Sequence, residues 1–599
     1  MNYVTKKIRN NAFLKRQLNQ LPFSFFKMKT LFLHLGCLVT ITIATAQSST
    51  VEWAKQIGGT DHDYGNSMAV DGSGNVYTTG GFNGTADFDP GTSTISLTPA
   101  GGPDAFITKL DGLGNLAWAR NVGGTLEDIG RSIGVDGSGN VYTTGYFNGT
   151  ADFDPGSSTF NVTANGVSDV FISKLDNAGN FVWAKTIGGT LEDSGRSIAV
   201  DASGNVYVLG WFGGTVDLDP GVGVFNLSSA GSSDIFILKL DDAGSFAWAK
   251  RFGGTSPDLG TAITIDGSGN VYTTGYFYGT ADFDPGAPTF ELTVVDDADV
   301  FVSKLDPSGN FIWVKSWGGD ASSDYSNDFG LAITVDPSGN VYTTGQFNKA
   351  GDFDPGAGTF NLTPTGYQDM FVSKLNDSGN FVWAKSMGGI NSLTAGLSIS
   401  LDPTGNVYTM CLFSATVDFD PGAGTYELTS AGQTDMAISK LDPSGNFIWI
   451  ETMGGALSDY GTSVNVDASG NVYASGSFSG TADFDPGSGV FNLVSAGLSD
   501  HVVLKLKAMA LTTGLDDKPE LQITVFPNPV VNQVSVEILG HFTDAAVLQL
   551  IDCTGHGIEQ RRMTKEGTEA FDLRSVAPGL YFIKIELNAR VVFRKMLKQ

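Results

Sequence analysis

Fourteen aspartates stand in seven nearly identical settings. They form the Asp-x-Asp pairs Asp87/Asp89, Asp152/Asp154, Asp217/Asp219, Asp282/Asp284, Asp352/Asp354, Asp418/Asp420 and Asp483/Asp485, each followed by Pro-Gly. Carboxylates at i and i+2 point to one side of an extended strand, so each pair offers hard oxygen ligands of the kind Ca²⁺ takes. A Ca²⁺ site wants about six to eight oxygens, and the full Asp-x-Asp-x-Asp-Gly series of a loop site is missing. A competing reading gives the second aspartate the task of capping the Pro-Gly turn. The first then pairs with a recurring lysine: Lys109, Lys174, Lys239, Lys304, Lys374, Lys440 or Lys505. Paired carboxylates also suit a glycosidase, but an acid and a base must be tuned apart in one asymmetric site, and these pairs recur seven times. Only His62 and His501 occur in the repeats, in non-equivalent contexts, so neither a His-metal cluster nor a serine triad is visible.

Asymmetry shows where the repeat is broken. The fifth unit inserts residues from Asp320 to Asp328 beside Trp317, and Trp211 stands before Phe212 where the first, second and fourth units carry Gly or Tyr. Aromatic rings beside carboxylates suit sugar stacking and hydroxyl bonding. Trp211, Trp317, Asp320, Asp324, Tyr325 and Asp328 are the candidate ligand-binding residues.

The elements that carry these groups follow from the spacing. The Asp-x-Asp-Pro-Gly segments lie 65, 65, 65, 70, 66 and 65 residues apart, and a tryptophan column at Trp53, Trp118, Trp183, Trp248, Trp313, Trp383 and Trp449 keeps nearly the same period. Each unit reads as four short strands rich in β-branched and aromatic residues, for example 197–201, 205–212, 234–240 and 246–250, with tight Gly-containing turns within the outer two pairs. Such antiparallel units in series are propeller blades. A lone fourth strand, Val51 to Lys55, precedes the first unit, and the seventh unit ends after its third strand. The phase therefore predicts a ring of seven blades closed by the N-terminal strand, with the tryptophans as inter-blade core. On this topology the long aspartate-bearing connections share a face with loops such as 126–128 and 191–193, and that face should be strongly acidic. Cys411 is expected to fill core space.

The run Gly204-Asn205-Val206-Tyr207, with Gly210, Lys239-Leu240-Asp241 and Trp248, resembles the bacterial β-propeller repeat of many secreted proteins. Gly-Asn-Val-Tyr stands unchanged in all seven units. The units are about 20 residues longer than shorter family members, and the family carries no established catalytic residues to transfer.

Beyond a linker at 508–520 the character changes. Residues 47–514 hold 18 cations against 52 anions, whereas 515–599 hold 10 against 11. Alternating strands over 521–599 suggest a small β-sandwich. Phe526-Pro527-Asn528-Pro529, Asp552-Cys553-Thr554-Gly555, Pro578-Gly579-Leu580-Tyr581 and Lys595-Met596-Leu597-Lys598 resemble the type A sorting domain of Bacteroidota type IX secretion. That resemblance implies contact with the type IX machinery, export across the outer membrane, removal of the domain and attachment of the rest to surface lipopolysaccharide.

At the other end, Met28-Lys29-Thr30, an apolar run from Leu31 and Ala44-Thr45-Ala46 read as a secretory signal peptide, so residues 1–46 are assigned to an N-terminal extension and leader. Their removal leaves 28 cations against 63 anions, a charge of −35 that disfavours nucleic acid as a partner. The expectation is an all-β, monomeric, non-enzymatic cell-surface propeller (47–507) that binds or adheres to an extracellular glycan or protein. The alternative is a surface polysaccharide hydrolase or lyase using the acidic face.

Overall fold

The computed structural model describes residues 50–319, 327–487, 489–507, 522–526, 530–539, 545–552, 556–565, 567–587 and 590–598; none of them is helical. The predicted leader, residues 1–46, lies outside them. They fall into two units, one ending at Lys507 and one beginning at Gln522.

The turn chemistry of the repeat explains its first hairpin. In Asp71-Gly72-Ser73-Gly74-Asn75 the Asp71 carboxylate accepts the Ser73 and Asn75 amides at 2.9 and 3.0 Å, and Gly74 takes a φ of 78° that side-chain-bearing residues avoid. The turn thus fixes the register in which Asp63–Val70 pairs with Val76–Phe82. Asp104–Leu110 and Leu116–Gly124 complete a four-stranded antiparallel sheet.

Six further sheets repeat this order, with first strands Asp128–Val135, Asp193–Val200, Asp258–Ile265, Phe329–Val335, Thr394–Leu401 and Tyr460–Val466. First strands of consecutive repeats pack side by side, and Tyr460–Val466 also packs against Asp63–Val70. Serine hydroxyls tie several of them together: Ser67 accepts from the Ile133 amide, Ser132 from Ile198 and Ser197 from Ile263, at 3.2–3.3 Å.

In the seventh sheet the fourth strand is Thr50–Gly59, antiparallel to Asp500–Lys507 with Ala54 opposite Leu504 and Ile57 opposite His501. One apolar cluster joins Trp53, Met68, Val76 and Leu110 to Tyr473 and Val503, so chain beginning and repeat end share a core. Elsewhere the clusters likewise straddle neighbouring repeats, as where Tyr142, Val170 and Ile172 meet Val206, Val208 and Phe236. The second unit packs a three-stranded against a four-stranded sheet over Val534, Val536, Leu548, Phe571 and Ile583.

Deleting Thr50–Gly59 from the full chain removes the buried Trp53 and Ile57 and bares the edge of Asp500–Lys507. The expected loss is about 3–6 kcal/mol for the two side chains, read as a lowered urea midpoint and as concentration-dependent aggregation.

Candidate functional site

The Asp-x-Asp pairs prove to be the frame of a hairpin. Asp87 accepts the amides of Asp89 and Ile95 at 3.0 and 2.9 Å, and Asp89 accepts that of Gly91 at 2.8 Å. The same pattern recurs at Asp152 and Asp154, Asp217 and Asp219, Asp282 and Asp284, Asp352 and Asp354, Asp418 and Asp420, and Asp483 and Asp485. The second aspartate caps the Pro-Gly turn as expected. The first does not meet the lysine. Each lysine instead lies 4.7–5.4 Å from the ring centroid of the tyrosine in Gly-Asn-Val-Tyr, and Lys174 and Lys304 bond to Asp242 and Asp377 in the last turn of the following repeat. The two groups sit at opposite ends of their sheet, which the linear spacing does not reveal. Among the described residues no three His, Cys, Asp or Glu side chains converge as a metal-ligating group.

The hairpin also binds its neighbour. Its first arm pairs with the end of the preceding repeat's fourth strand: Gly58 with Asp87, Gly123 with Asp152, Gly253 with Asp282 and Gly454 with Asp483, with single bridges at Gly188–Asp217, Gly319–Gly351 and Gly388–Asp418. The Gly-Gly dipeptide is a steric requirement there. A Cβ on Gly188 would lie 2.1 Å from the Asp169 carboxyl carbon, and one on Gly124 would lie 2.0 Å from the Thr150 carbonyl. At the other end the Trp118 and Trp183 indoles donate to the carbonyls of Asn177 and Asp242 in the next repeat at 3.1 Å, which places the tryptophan column at the junctions.

Behind this rim lie two tiers of aspartates that motif reading did not single out. Asp63, Asp128, Asp193 and Asp258 begin first strands and Asp328 and Asp459 immediately precede them; Asp104, Asp169, Asp369, Asp435 and Asp500 begin third strands and Asp234 and Asp299 hold the same place within longer ones; all are buried. The first tier accepts backbone amides through both oxygens, as Asp128 does from Gly124 (2.6 Å) and Asn148 (3.0 Å). In the second tier, one carboxylate oxygen of Asp104, Asp169, Asp234, Asp435 and Asp500 has no hydrogen-bond partner. Burial outweighs the amide bonds and pushes Asp63, Asp104, Asp193, Asp234 and Asp459 up to about 6, and Asp128 and Asp258 up to about 7. The expected acidic face is therefore built partly of carboxyls that take up a proton more readily than ordinary aspartates. The turn aspartates go the other way. Burial raises Asp71, Asp136 and Asp201, but bonds from Asn75, Asn140 and Asn205 and from backbone amides hold them below the usual range.

The irregular residues are not brought together. Trp317 is only 3% exposed, its ring set against Phe353 and Phe371 at 6.3 and 6.2 Å, so it presents no open stacking face. It lines a cavity of about 490 Å³ with Asp299, Asp352 and Asp354 that ends at Gly319. Asp320, Asp324 and Tyr325 lie outside the described residues, and Asp328 is buried in the first tier. Trp211 is half-buried and pairs in register with Ser194. His501 is buried and held neutral, pushed down to about 4 by burial, and Cys411 is buried with its thiol pushed up to about 12. His62, on the surface, bonds Ser499 at 2.9 Å. None of these is arranged as a nucleophile or base.

One bulged position of the first strand varies among the repeats and holds Asn66, Arg131, Arg196, Thr261, Leu331, Leu397 and Thr462. Asn66 and Thr261 donate to the Gly130 and Gly330 carbonyls of the next repeat at 2.8 and 2.7 Å. The sequence signal was available: a variable column between an invariant glycine and a small residue.

In the second unit the strand Gly579–Leu587 pairs with Arg590–Lys598 so that Gly579 faces Lys598 and Tyr581 faces Met596. The Tyr581 hydroxyl donates to the Ala577 carbonyl at 2.8 Å, and Lys598 is buried with its amine on the Val531 carbonyl. Two of the sorting motifs are thus adjacent strands. Pro527, Asn528, Pro529, Gly555 and the Lys595 side chain lie outside what is described.

Two outcomes follow from the carboxylates. Folding raises the buried tiers above an unfolded value of about 4, so their stabilisation is complete below that pH and is lost as pH rises through 6–7; the turn aspartates lose theirs below about 4. The urea midpoint of the full chain should be higher at pH 5 than at pH 8. Asp128→Asn should shrink that difference by on the order of a few kcal/mol. Because one oxygen of each Asp-x-Asp carboxylate already serves backbone amides and no further carboxylate joins a pair among the described residues, millimolar Ca²⁺ and EDTA should give the same melting temperature.

Comparison with known proteins agrees with this architecture. Residues 524–599 match the secretion system C-terminal sorting domain, and residues 52–85, 117–154, 182–211 and 247–279 match the beta-propeller repeat. An uncharacterized WD repeat-containing protein of Acanthamoeba polyphaga mimivirus is 25% identical over 440 residues, 61% of this chain and 31% of its own. The regulatory protein FlaEY of Caulobacter vibrioides is 27% identical over 311 residues, 49% of this chain and 30% of its own. The chain thus spans about a third of the length of these relatives. Among solved structures, dimeric latent PorU of Porphyromonas gingivalis overlaps 62% of this chain and 32% of its own at 11% identity with a TM-score of 0.12. A Bacteroides thetaiotaomicron protein of unknown function overlaps 75% and 100% at 11% identity with a TM-score of 0.18, and at such scores neither defines a common fold. The chain carries beta-propeller repeats and a C-terminal sorting domain, and that domain marks it for export through the type IX secretion system to the cell surface or extracellular space.

Proposed function

We propose that the repeats close as a seven-bladed ring that serves as a binding or adhesion scaffold for an extracellular glycan or protein, held at the surface through lipopolysaccharide after the sorting domain is removed. One observation carries this reading: the framework residues recur in every unit, whereas the bulged first-strand position takes four residue types across the seven units. A rigid frame that presents seven variable side chains around one axis is how repeat proteins build recognition surfaces. The packing of Tyr460–Val466 against Asp63–Val70, and the Asn465 side-chain bond to the Met68 carbonyl at 3.0 Å, support closure. The carboxylates that a hydrolase or lyase would need each give one oxygen to backbone amides in all seven hairpins, the same way in every unit.

Incubating the full chain with an array of labelled polysaccharides and surface proteins tests the reading. A scaffold retains ligand and creates no new reducing or unsaturated ends. Fragment release at a rate above that of a heat-unfolded control would instead establish the hydrolase or lyase.

A further inference from the structure

The repeats hold four arginines, Arg120, Arg131, Arg196 and Arg251. Two are satisfied. Arg120 donates to the Gly179 and Ala119 carbonyls at 2.8 Å, and Arg251 pairs with Asp234 at 3.2 Å. Arg131 and Arg196 differ in their hydrogen bonding. They occupy the bulged position of consecutive first strands, where Asn66 and Thr261 bond to the following repeat, yet neither has a hydrogen bond or ion pair among the described residues. The Arg131 Nε is buried with no acceptor. Burial and the charge of Arg131 both act against the Arg196 cation. Two unpaired guanidinium groups side by side are costly, and a chain with 63 acidic residues had ample means to pair them.

Aromatic rings surround the pair. The Arg131 guanidinium lies 5.3 Å from the Tyr146 ring centroid, and Tyr146 and Tyr276 are electrostatic neighbours of Arg196, as Tyr64 is of Arg131. All three tyrosines are half-buried, and Trp211 stands in register opposite Ser194, two residues from Arg196. Glu127 is the nearby carboxylate; it accepts the Tyr146 hydroxyl at 2.9 Å and forms no ion pair with Arg131. The remaining bulged positions, Leu331, Leu397 and Thr462, carry no charge.

Resting on the scaffold reading above, we propose that Arg131 and Arg196 form the anion subsite of a saccharide-binding surface, taking the carboxylate or sulfate of an acidic sugar whose ring lies against Tyr64 and Tyr146. Guanidinium groups match the planar or tetrahedral oxygen set of either anion by paired donors, and tyrosine faces accept the C–H face of a pyranose. The acidity of the rest of the chain does not forbid this. Charges farther than about 8 Å are screened at physiological salt, while the pair acts at contact.

Calorimetric titration of the full chain with a glucuronic acid hexamer, a glucose hexamer, sodium sulfate and hexaglutamate tests it. The acidic hexamer should bind at least tenfold more tightly than the glucose hexamer and weaken with added salt. Sulfate should compete with it. Arg131→Gln and Arg196→Gln should each cost about tenfold or more, and the double variant should bind the two hexamers alike. Because each substitution removes an unpaired cation, neither should lower the melting temperature, so lost binding cannot be lost folding. Equal binding of both hexamers by the unaltered chain, tighter binding of hexaglutamate, no binding of any probe, or a double variant that binds as before would overturn the proposal. Retention of a neutral glycan or a protein unaffected by the double variant would overturn this subsite while leaving the scaffold reading standing.

Discussion

Everything in the repeat array depends on how one four-stranded sheet is fastened to the next. A fourth strand ends in Gly-Gly because its first glycine must pass a buried third-strand aspartate and its second must meet the backbone of the following repeat's hairpin. No side chain fits either place. At the opposite end of the same strand, the tryptophan donates into the next repeat's last turn, so every junction is pinned twice. With neighbouring first strands packed together as well, the array has little freedom to slide, and one position per repeat can vary without loosening the frame.

The cost of this fastening is carried by carboxyl groups. Aspartate is the shortest side chain that can accept two backbone amides at once, and the hairpins, the tight turns and the strand starts all use it that way. The copies in the tight turns, Asp71, Asp136 and Asp201, are held below the usual carboxylate range and stabilise their turns. Copies sealed at the junctions are pushed above it instead, because desolvation exceeds what the amides return. A large formal negative charge is thereby compatible with a dense core, and it marks structure more than chemistry.

Against that background the two unpaired arginines stand out by what they lack. Lysines in the same repeats rest on tyrosine rings and reach the next turn, so cations here are ordinarily given partners. Positions that depart from a repeated solution are where a repeat protein differentiates its surface, and the aromatic neighbours give those positions a defined chemistry.

The period of the aspartate and tryptophan columns, the Asp-x-Ser-Gly-Asn turns and the phase of the lone first strand were legible as sequence, because local turn geometry and strand alternation depend on neighbours within a few residues. So were the sorting motifs and the capping role of the second aspartate. Tertiary structure alone decided where the recurring lysine goes, since third-strand position and hairpin lie at opposite ends of one sheet. It decided that Trp317 is buried, because an aromatic residue reads the same in a core as on a surface. It also decided that Asp128 and Asp104 are sealed from water while Asp87 and Asp89 are not, and that Arg131 and Arg196, 65 residues apart in the chain, become electrostatic neighbours across a junction. Burial and long-range proximity are properties of packing, and packing is the sum of contacts between residues that the chain order keeps far apart.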